Sequence, residues 1–426
     1  MYKLDYIEKD EYEEFVRNSS YSHFMQSYDF GQIRKEKNFN PIYIGLRKGK
    51  KLVCTALLLE KKLLLGYSYY YSPRGYIIDY NNKDLIKTFT SELKKFAKKN
   101  KAIFIKIDPA IKRHNLDIDG NVIGSDNNYL LINYLKTIGY KHLGFNIDFS
   151  KEQPRFTYKI DIDKDIKDVL KGMHPTTRKI LNKNNQYNLD IYKGDINDIE
   201  DFYITMKETS KREGILQANI NYYKNFYEIF NKDNLSDLYI VKANIKKLKD
   251  TIKANINDIN NRIDNLSKNK DKNKGKINDL NNKVNKLNKE LDEIKSIKEK
   301  EVVLSSIITV KYKDTVWTVH GGNNSKLMRL NGNYECYWKI IKDANSEGYK
   351  YVDCFGTCGI ANPDKSNPIY GIHSFKKRLG GEYIELIGEF DLITNKLLYF
   401  VYKRLIPIYR KIKRKKVIKD GTSGTK

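Results

Sequence analysis

The sequence predicts an α/β (α+β) protein whose body is interrupted by a long, basic, antiparallel helical hairpin. Two observations carry this. Short apolar runs alternate with segments of helical spacing, and the order β-hairpin, helix, strand, helix occurs twice, loosely. Between Lys242 and Lys300 that alternation gives way to two heptad seams. With 426 residues, 40% of them hydrophobic, the chain has room for two ordinary domains and an appendage.

The first copy of the order begins with Pro41–Leu46 and Leu52–Leu59, apolar runs joined by a Lys/Gly turn. Tyr67–Tyr71 reads as a further strand. Leu85, Ile86, Phe89, Leu93 and Phe96 have helical spacing over Asp84–Lys99. Ala102–Asp108 is a strand ended by Pro109, and Tyr129–Ile138 a helix closed by Gly139. The second copy starts near Arg155, with a strand at Tyr158–Ile162. Helix in two pieces follows over Ile166–Tyr187, interrupted by Pro175. A helix at Ile196–Gly214, a strand at Leu238–Val241, a strand pair at Val302–Tyr312 and Val316–His320, a helix at Gly332–Gly348 and a strand at Tyr351–Cys354 complete it.

The insert is the clearest feature. Ile245, Leu248, Ile252, Ile256, Ile259, Ile263 and Leu266 form one seam, and Ile277, Leu280, Val284, Leu287, Leu291 and Ile294 the other. Lys268–Lys276 is a polar tip with Gly275 for the turn. Such narrow seams predict that the arms pack on each other and not into the body. The net charge of +26 points to a polyanionic partner, and 17 Lys/Arg against 10 Asp/Glu lie in Lys242–Glu301. Dimerisation would explain the seams alone; the five-lysine tip favours an RNA backbone.

A second basic feature is the tail, with nine Lys/Arg and no acid in Lys403–Lys419. Mixed with Leu397, Leu398, Val401, Leu405 and Ile408, it reads as a peripheral membrane-surface contact or as a solvated end. No apolar run is long enough to span a membrane, and Met1–Glu14 has no signal core, so the expected place is the cytoplasm, at or near the inner membrane face. Cys54, Cys336, Cys354 and Cys358 then read as reduced and buried, with no metal site. Monomer and homodimer are both open.

Phosphate-binding loops, dinucleotide fingerprints, zinc-protease motifs and nucleophile elbows are all missing from the sequence. The chemistry-bearing stretches are of another kind. In Tyr71-Ser-Pro-Arg74-Gly75, Pro73 stiffens a turn and Arg74 offers a fork for carboxylate or phosphate. Thr209–Ile215 sets Arg212 ahead of a glycine stop. Phe375-Lys376-Lys377-Arg378 precedes a glycine pair.

In order, these stretches resemble the Fem family, which transfers amino acids from aminoacyl-tRNA to the stem peptide of peptidoglycan precursors. The matching pieces are Met25–Arg34, Tyr71–Tyr80, Ile105–Pro109, Thr177–Ile180, Thr209–Ile215, His320–Asn324, Tyr349–Asp353, Phe375-Lys376 and Gly388–Asp391. The resemblance implies two GNAT-like domains, 1–153 plus 383–420 and 154–241 plus 302–382, with a coiled-coil arm at 242–301. It implies an aminoacyltransferase without cofactor, whose partners are aminoacyl-tRNA and either lipid II or UDP-MurNAc-pentapeptide. Lys376 and Phe375 would lie at the reacting centre, with Asp108 matching an acid in the role of base. Arg212 and a cation at Arg34 or Lys35 would bind precursor phosphates; Arg74 and His320 are further candidate substrate-binding residues, His320 also a candidate proton carrier. His320 stands where the family more often has tyrosine. The runner-up acceptors are an anionic lipid and a protein N-terminus; a non-enzymatic RNA-binding scaffold is the third reading.

Overall fold

The computed structural model of the protein describes residues 1–147, 152–214, 217–367 and 369–405. The first strands pair with their sequence neighbours. β1 (Tyr2–Tyr6), β2 (Asn40–Lys48), β3 (Lys51–Lys62) and β4 (Ser68–Ser72) form an antiparallel run. Helices α1 (Lys9–Asn18) and α2 (Tyr28–Arg34) leave from β1, the second capped by the Ser27 hydroxyl. Helix α3 (Lys83–Lys99), capped by Asn82, returns the chain so that β5 (Ala102–Ile107) lies parallel to β4. A small ribbon, β6 (His114–Leu116) with β7 (Val122–Asn127), and helix α4 (Tyr129–Thr137) lead to β8 (Tyr140–His142).

The second half repeats the device. After β9 (Phe156–Asp161) come α5 (Ile166–Gly172) and α6 (Pro175–Asn184). Pro175 starts the second helix instead of breaking one, since the first helical position needs no N–H donor. β10 (Asp190–Gly194), α7 (Ile199–Glu213), α8 (Ile220–Asn231) and β11 (Leu238–Asn244) follow. The arm helices α9 (Ile245–Ser267) and α10 (Lys270–Lys295) interrupt the sheet, which resumes at β12 (Glu301–Tyr312) and β13 (Thr315–Asn323). Helix α11 (Gly332–Ser346) returns the chain so that β14 (Tyr351–Thr357) lies parallel to β13. Then come α12 (Tyr370–Arg378), β15 (Glu382–Glu385) and β16 (Phe390–Ile393).

Among the described residues these strands make two seven-stranded sheets, β1-β2-β3-β4-β5-β16-β8 and β10-β11-β12-β13-β14-β9-β15. Each is antiparallel except for one parallel pair at or beside its centre, a layout that suits the expected GNAT-like domains. β15 pairs with β9 of the second sheet, and the chain crosses to the first only at β16, between β5 and β8. The Gly380-Gly381 turn makes this exit from α12 possible. Both glycines have positive φ, and a Cβ on either would meet the backbone of Gly172 or Lys159.

The two sheets share a core. Phe24 and Phe30 from the first half pack with Phe226, Phe230 and Trp317 from the second; the Phe24 and Trp317 ring centres are 5.2 Å apart. Tyr312 donates a hydrogen bond to Glu13 across the same seam, and Lys313 donates to the Ser19 carbonyl.

The arm departs from its sequence reading in two ways. Its turn is Lys268-Asn269, and Gly275 lies inside α10, whose lysine-rich start is helical. Its base packs into the body: Ile245, Leu248, Ile252, Leu291 and Ile294 are buried in one cluster with Leu181, Tyr187 and Leu330. Glu290 anchors it further, accepting from Tyr187 and Lys183, while its carbonyl takes a hydrogen bond from Arg329. Beyond Ile256 and Leu287 the seam is self-contained. At 1.5 Å per residue α9 is about 35 Å long.

Candidate active site

A Cβ at Gly322 on β13 would strike the backbone of Thr205 and Met206. Its absence lets α7 lie directly on the strand. Thr209 then exchanges hydrogen bonds with the Asn323 backbone, and Arg212 Nη1 donates to the Asn323 carbonyl at 3.3 Å. Gly214, at φ +63°, caps the helix behind it. Arg212 is therefore exposed and held at the end of β13.

β13 and β14 pair over only Thr315–Trp317 and Tyr351–Asp353, then separate. The Lys376 side chain occupies the β14 side of this opening. It is 6% exposed, and Nζ donates to the carbonyls of Phe355 (3.1 Å) and Gly356 (2.7 Å). Phe355 has φ +56°, which accompanies the local irregularity in β14. Burial pulls the Lys376 ammonium down to about 8, against the pull of Cys354 and Asp353. Burial also pushes the Cys354 thiol up to about 12, so this neighbour is neutral near pH 7. Asp353, itself raised by burial, accepts from Thr157 Oγ1 (2.6 Å) and from the Phe355 N–H (2.7 Å). An ammonium has three N–H donors; two are used here, and one is left for a developing oxyanion. Phe375, the adjacent residue, is turned into the core and meets the Tyr334 and Tyr337 rings edge-on at 4.8 and 5.1 Å. It anchors α12.

The first sheet has the corresponding opening after Ser72 and Ile107. Asp108 sits in it, accepting from Arg74 N (2.8 Å) and Tyr71 OH (3.1 Å), with Arg74 Nη1 at 3.7 Å. Arg74 Nη2 donates to the Pro154 carbonyl at 2.6 Å. Burial raises the Asp108 carboxyl to about 6, opposed by Arg74. Acid and arginine thus form a buried internal pair, and Arg74 is not presented as a free cation.

Between the sheets, Arg34 lies over the Phe39 ring, 5.0 Å from its centre, with its Nε enclosed and without a hydrogen-bond partner among the described residues. Lys35 is exposed. Lys37, which the sequence reading passed over, faces the Tyr222 ring at 4.6 Å. His320 is enclosed by Tyr222, Tyr223 and Phe226, all edge-on within 5.8 Å. Burial, then Lys37, lowers its pKa to about 4, so it is neutral near pH 7, and its Nε2 has no partner among the described residues. Its setting is an aromatic cage.

Comparison with known proteins fits this arrangement. The model of the FemAB family matches residues 7–406. The chain belongs to the FemAB family. Among its relatives, the lipid II:glycine glycyltransferase of Staphylococcus aureus (strain MRSA252) is 26% identical over 96% of this chain and 99% of the relative. The protein of that name from strain Mu50 is 27% identical over the same shares. The solved structure of FemX has a TM-score of 0.74 and 26% identity, covering 94% of this chain and 99% of that one. Family membership accounts for the order of motifs that the sequence displayed. Lys37 was missed because it stands in a single 3-10 turn outside any periodic pattern; Asp353 lay in a predicted strand, but only the fold brings it near Lys376.

The four cysteines are free and buried, as expected of small residues inside the body. The basic tail beyond Leu405, and Ile215 of the Arg212 motif, lie outside the described residues.

Proposed function

We propose that this aminoacyltransferase moves an amino acid from an aminoacyl-tRNA to an amine on the stem peptide, or on the growing bridge, of a lipid-linked peptidoglycan precursor. The observation that carries the reading is Lys376, a buried cation with one uncommitted N–H at the opening between two strands. The names of the relatives support lipid II as acceptor. The amine nitrogen attacks the ester carbonyl, and a C–N bond forms. Negative charge builds on the carbonyl oxygen, where Lys376 is placed to offset it. The bond to the ribose oxygen then breaks, and the proton leaving the amine ends on that oxygen. Loss of one such donor typically costs 10²–10³ in turnover. The ester is already activated, so no nucleotide cleavage is needed.

Roles follow from position. Arg34 and Lys37 lie beside α8 of the second half, and exposed Arg212 pairs with Glu213 at 2.9 Å; these cations suit the precursor's phosphates. Asp108, paired with Arg74, braces the first opening, and water or a substrate phosphate is the better proton acceptor. The outer part of the arm suits the tRNA backbone, with its lysines on a free helical end. Because the base is core, only residues 258–279 can be exchanged for a short glycine turn without exposing it. That variant is expected to keep its melting temperature and to bind charged tRNA at least about tenfold more weakly. Unchanged tRNA binding would assign the arm to dimerisation instead.

Charged tRNA incubated with lipid II, or with UDP-MurNAc-pentapeptide, is expected to add one aminoacyl mass to the lipid-linked acceptor. Product formed without charged tRNA, or on phosphatidylglycerol alone, would refute the reading.

A further inference from the structure

The described C-terminal helix, residues 396–405, is apolar on two sides. Tyr399 is buried against Ile103 and Phe104, with Leu398 and Tyr402 beside it. On the other side Leu397, Phe400, Val401 and Leu405 follow helical spacing and are 72, 53, 39 and 57% exposed. The turn between β3 and β4 reaches the same place. Leu63 and Tyr67, which flank it, pack on the Phe104 cluster. Ser68 donates to the Lys101 carbonyl, and Asn395 to that of Ile103. At the tip of the turn, Leu64 and Leu65 are 88 and 90% exposed. Leu65 holds φ +58°, a conformation that disfavours leucine, so local backbone preference does not explain it. Two leucines project from a turn whose flanks pack on the buried side of the helix that carries the exposed stripe.

Charge identifies the occupant. The segments that meet here, 61–68, 98–103 and 395–405, contain no Asp or Glu, while Lys62, Lys98, Lys99, Lys101, Lys396 and Arg404 are exposed around them. A protein partner for so apolar a patch would not require cations alone at its border. An anionic bilayer takes both, with aliphatic side chains below the headgroups and lysines among them.

We propose that Leu64-Leu65 and the Leu397/Phe400/Val401/Leu405 stripe together form a docking surface for an anionic lipid bilayer. It extends the lipid-linked reading of the acceptor by giving the enzyme its own hold on the membrane. The two are separable, because a precursor carrying a short, water-soluble lipid bypasses the membrane.

The full chain is tested by flotation with vesicles of equimolar phosphatidylglycerol and phosphatidylcholine, against phosphatidylcholine alone. The wild type is expected to float with the anionic vesicles only. The double variant Leu64→Gln/Leu65→Gln, at an exposed turn and without change of charge, is expected to bind at least about tenfold more weakly. It should keep its melting temperature and its transfer to the soluble-lipid precursor. Phe400→Gln tests the stripe in the same way. Wild-type binding by the double variant would mean that the basic tail acts alone, and would overturn the proposal. So would a lower melting temperature for Phe400→Gln with binding unchanged, since the tail would then cover the stripe. A concentration-dependent dimer dissociated by Phe400→Gln would assign the surface to a second copy. Loss of transfer to the soluble precursor in the wild type would count against the proposed function and leave docking untouched.

Discussion

The two sheets carry the same device and use it differently. In each, a parallel strand pair parts at its C-terminal ends, after Ser72 and Ile107 in one and after Trp317 and Asp353 in the other. The first gap is closed by an acid and an arginine that satisfy each other, Asp108 and Arg74. The second holds a lysine bound, among the described residues, by carbonyl oxygens alone. A paired charge in a buried gap braces; an unpaired one is available to charge that develops in a reaction. In the proposed reaction this difference assigns the chemistry to the second sheet and a supporting role to the first.

Substitutions can break that comparison. The largest effect is expected for Lys376→Met, with turnover reduced about 10²–10³-fold. Precursor affinity should change little by calorimetry, and the melting temperature at pH 7 should hold or rise, since a buried cation is removed. Asp108→Asn should do the reverse. Leaving Arg74 buried without its counter-ion costs about 3 kcal/mol by denaturant unfolding, while turnover stays within a few-fold. A large loss of turnover with full stability would restore Asp108 as base.

Unfolding across pH sharpens the contrast. The Asp108 pKa is raised in the fold to about 6. Its contribution to stability is present below the unfolded pKa, about 4, and is lost as pH rises through 6. The Lys376 pKa is lowered to about 8, so its contribution grows as pH rises from 8 toward the unfolded value, about 10.4. Each slope should vanish in the matching variant. The smallest effect belongs to Phe375→Leu. Losing the edge contacts to Tyr334 and Tyr337 costs about 1 kcal/mol, and a slightly loosened α12 should lower turnover a few-fold.

Much of this fold was legible in the sequence, for local reasons. Apolar runs about a Lys/Gly turn marked β2 and β3, and heptads marked both arm helices, because those patterns depend on neighbours a few residues away. Helix α8 was missed because its Tyr, Phe and Ile residues favour strands, and the shared core overrides that preference. The pairing of β16 with β5 joins residues nearly 300 positions apart and leaves no local mark. The site divides likewise. Arg74 and Asp108 were separate motifs in the sequence, and only the parallel β4/β5 pairing makes them partners. Lys376 stood out by its resemblance, but its ligands are backbone carbonyls, which any sequence supplies. The arm's seam was correct and its independence was not: Leu248 and Ile294 serve the arm and the body at once.

In the proposed reaction the charge of buried Lys376 serves the transfer. Its titration can be followed by ¹³C NMR of labelled lysine side chains, with the signal assigned by its absence in Lys376→Met, alongside single-turnover rates on lipid II. The signal is expected to titrate near pH 8, and the rate to fall through the same pH as the charge is lost. A signal titrating at the ordinary lysine value, or a rate with no inflection near 8, would contradict it.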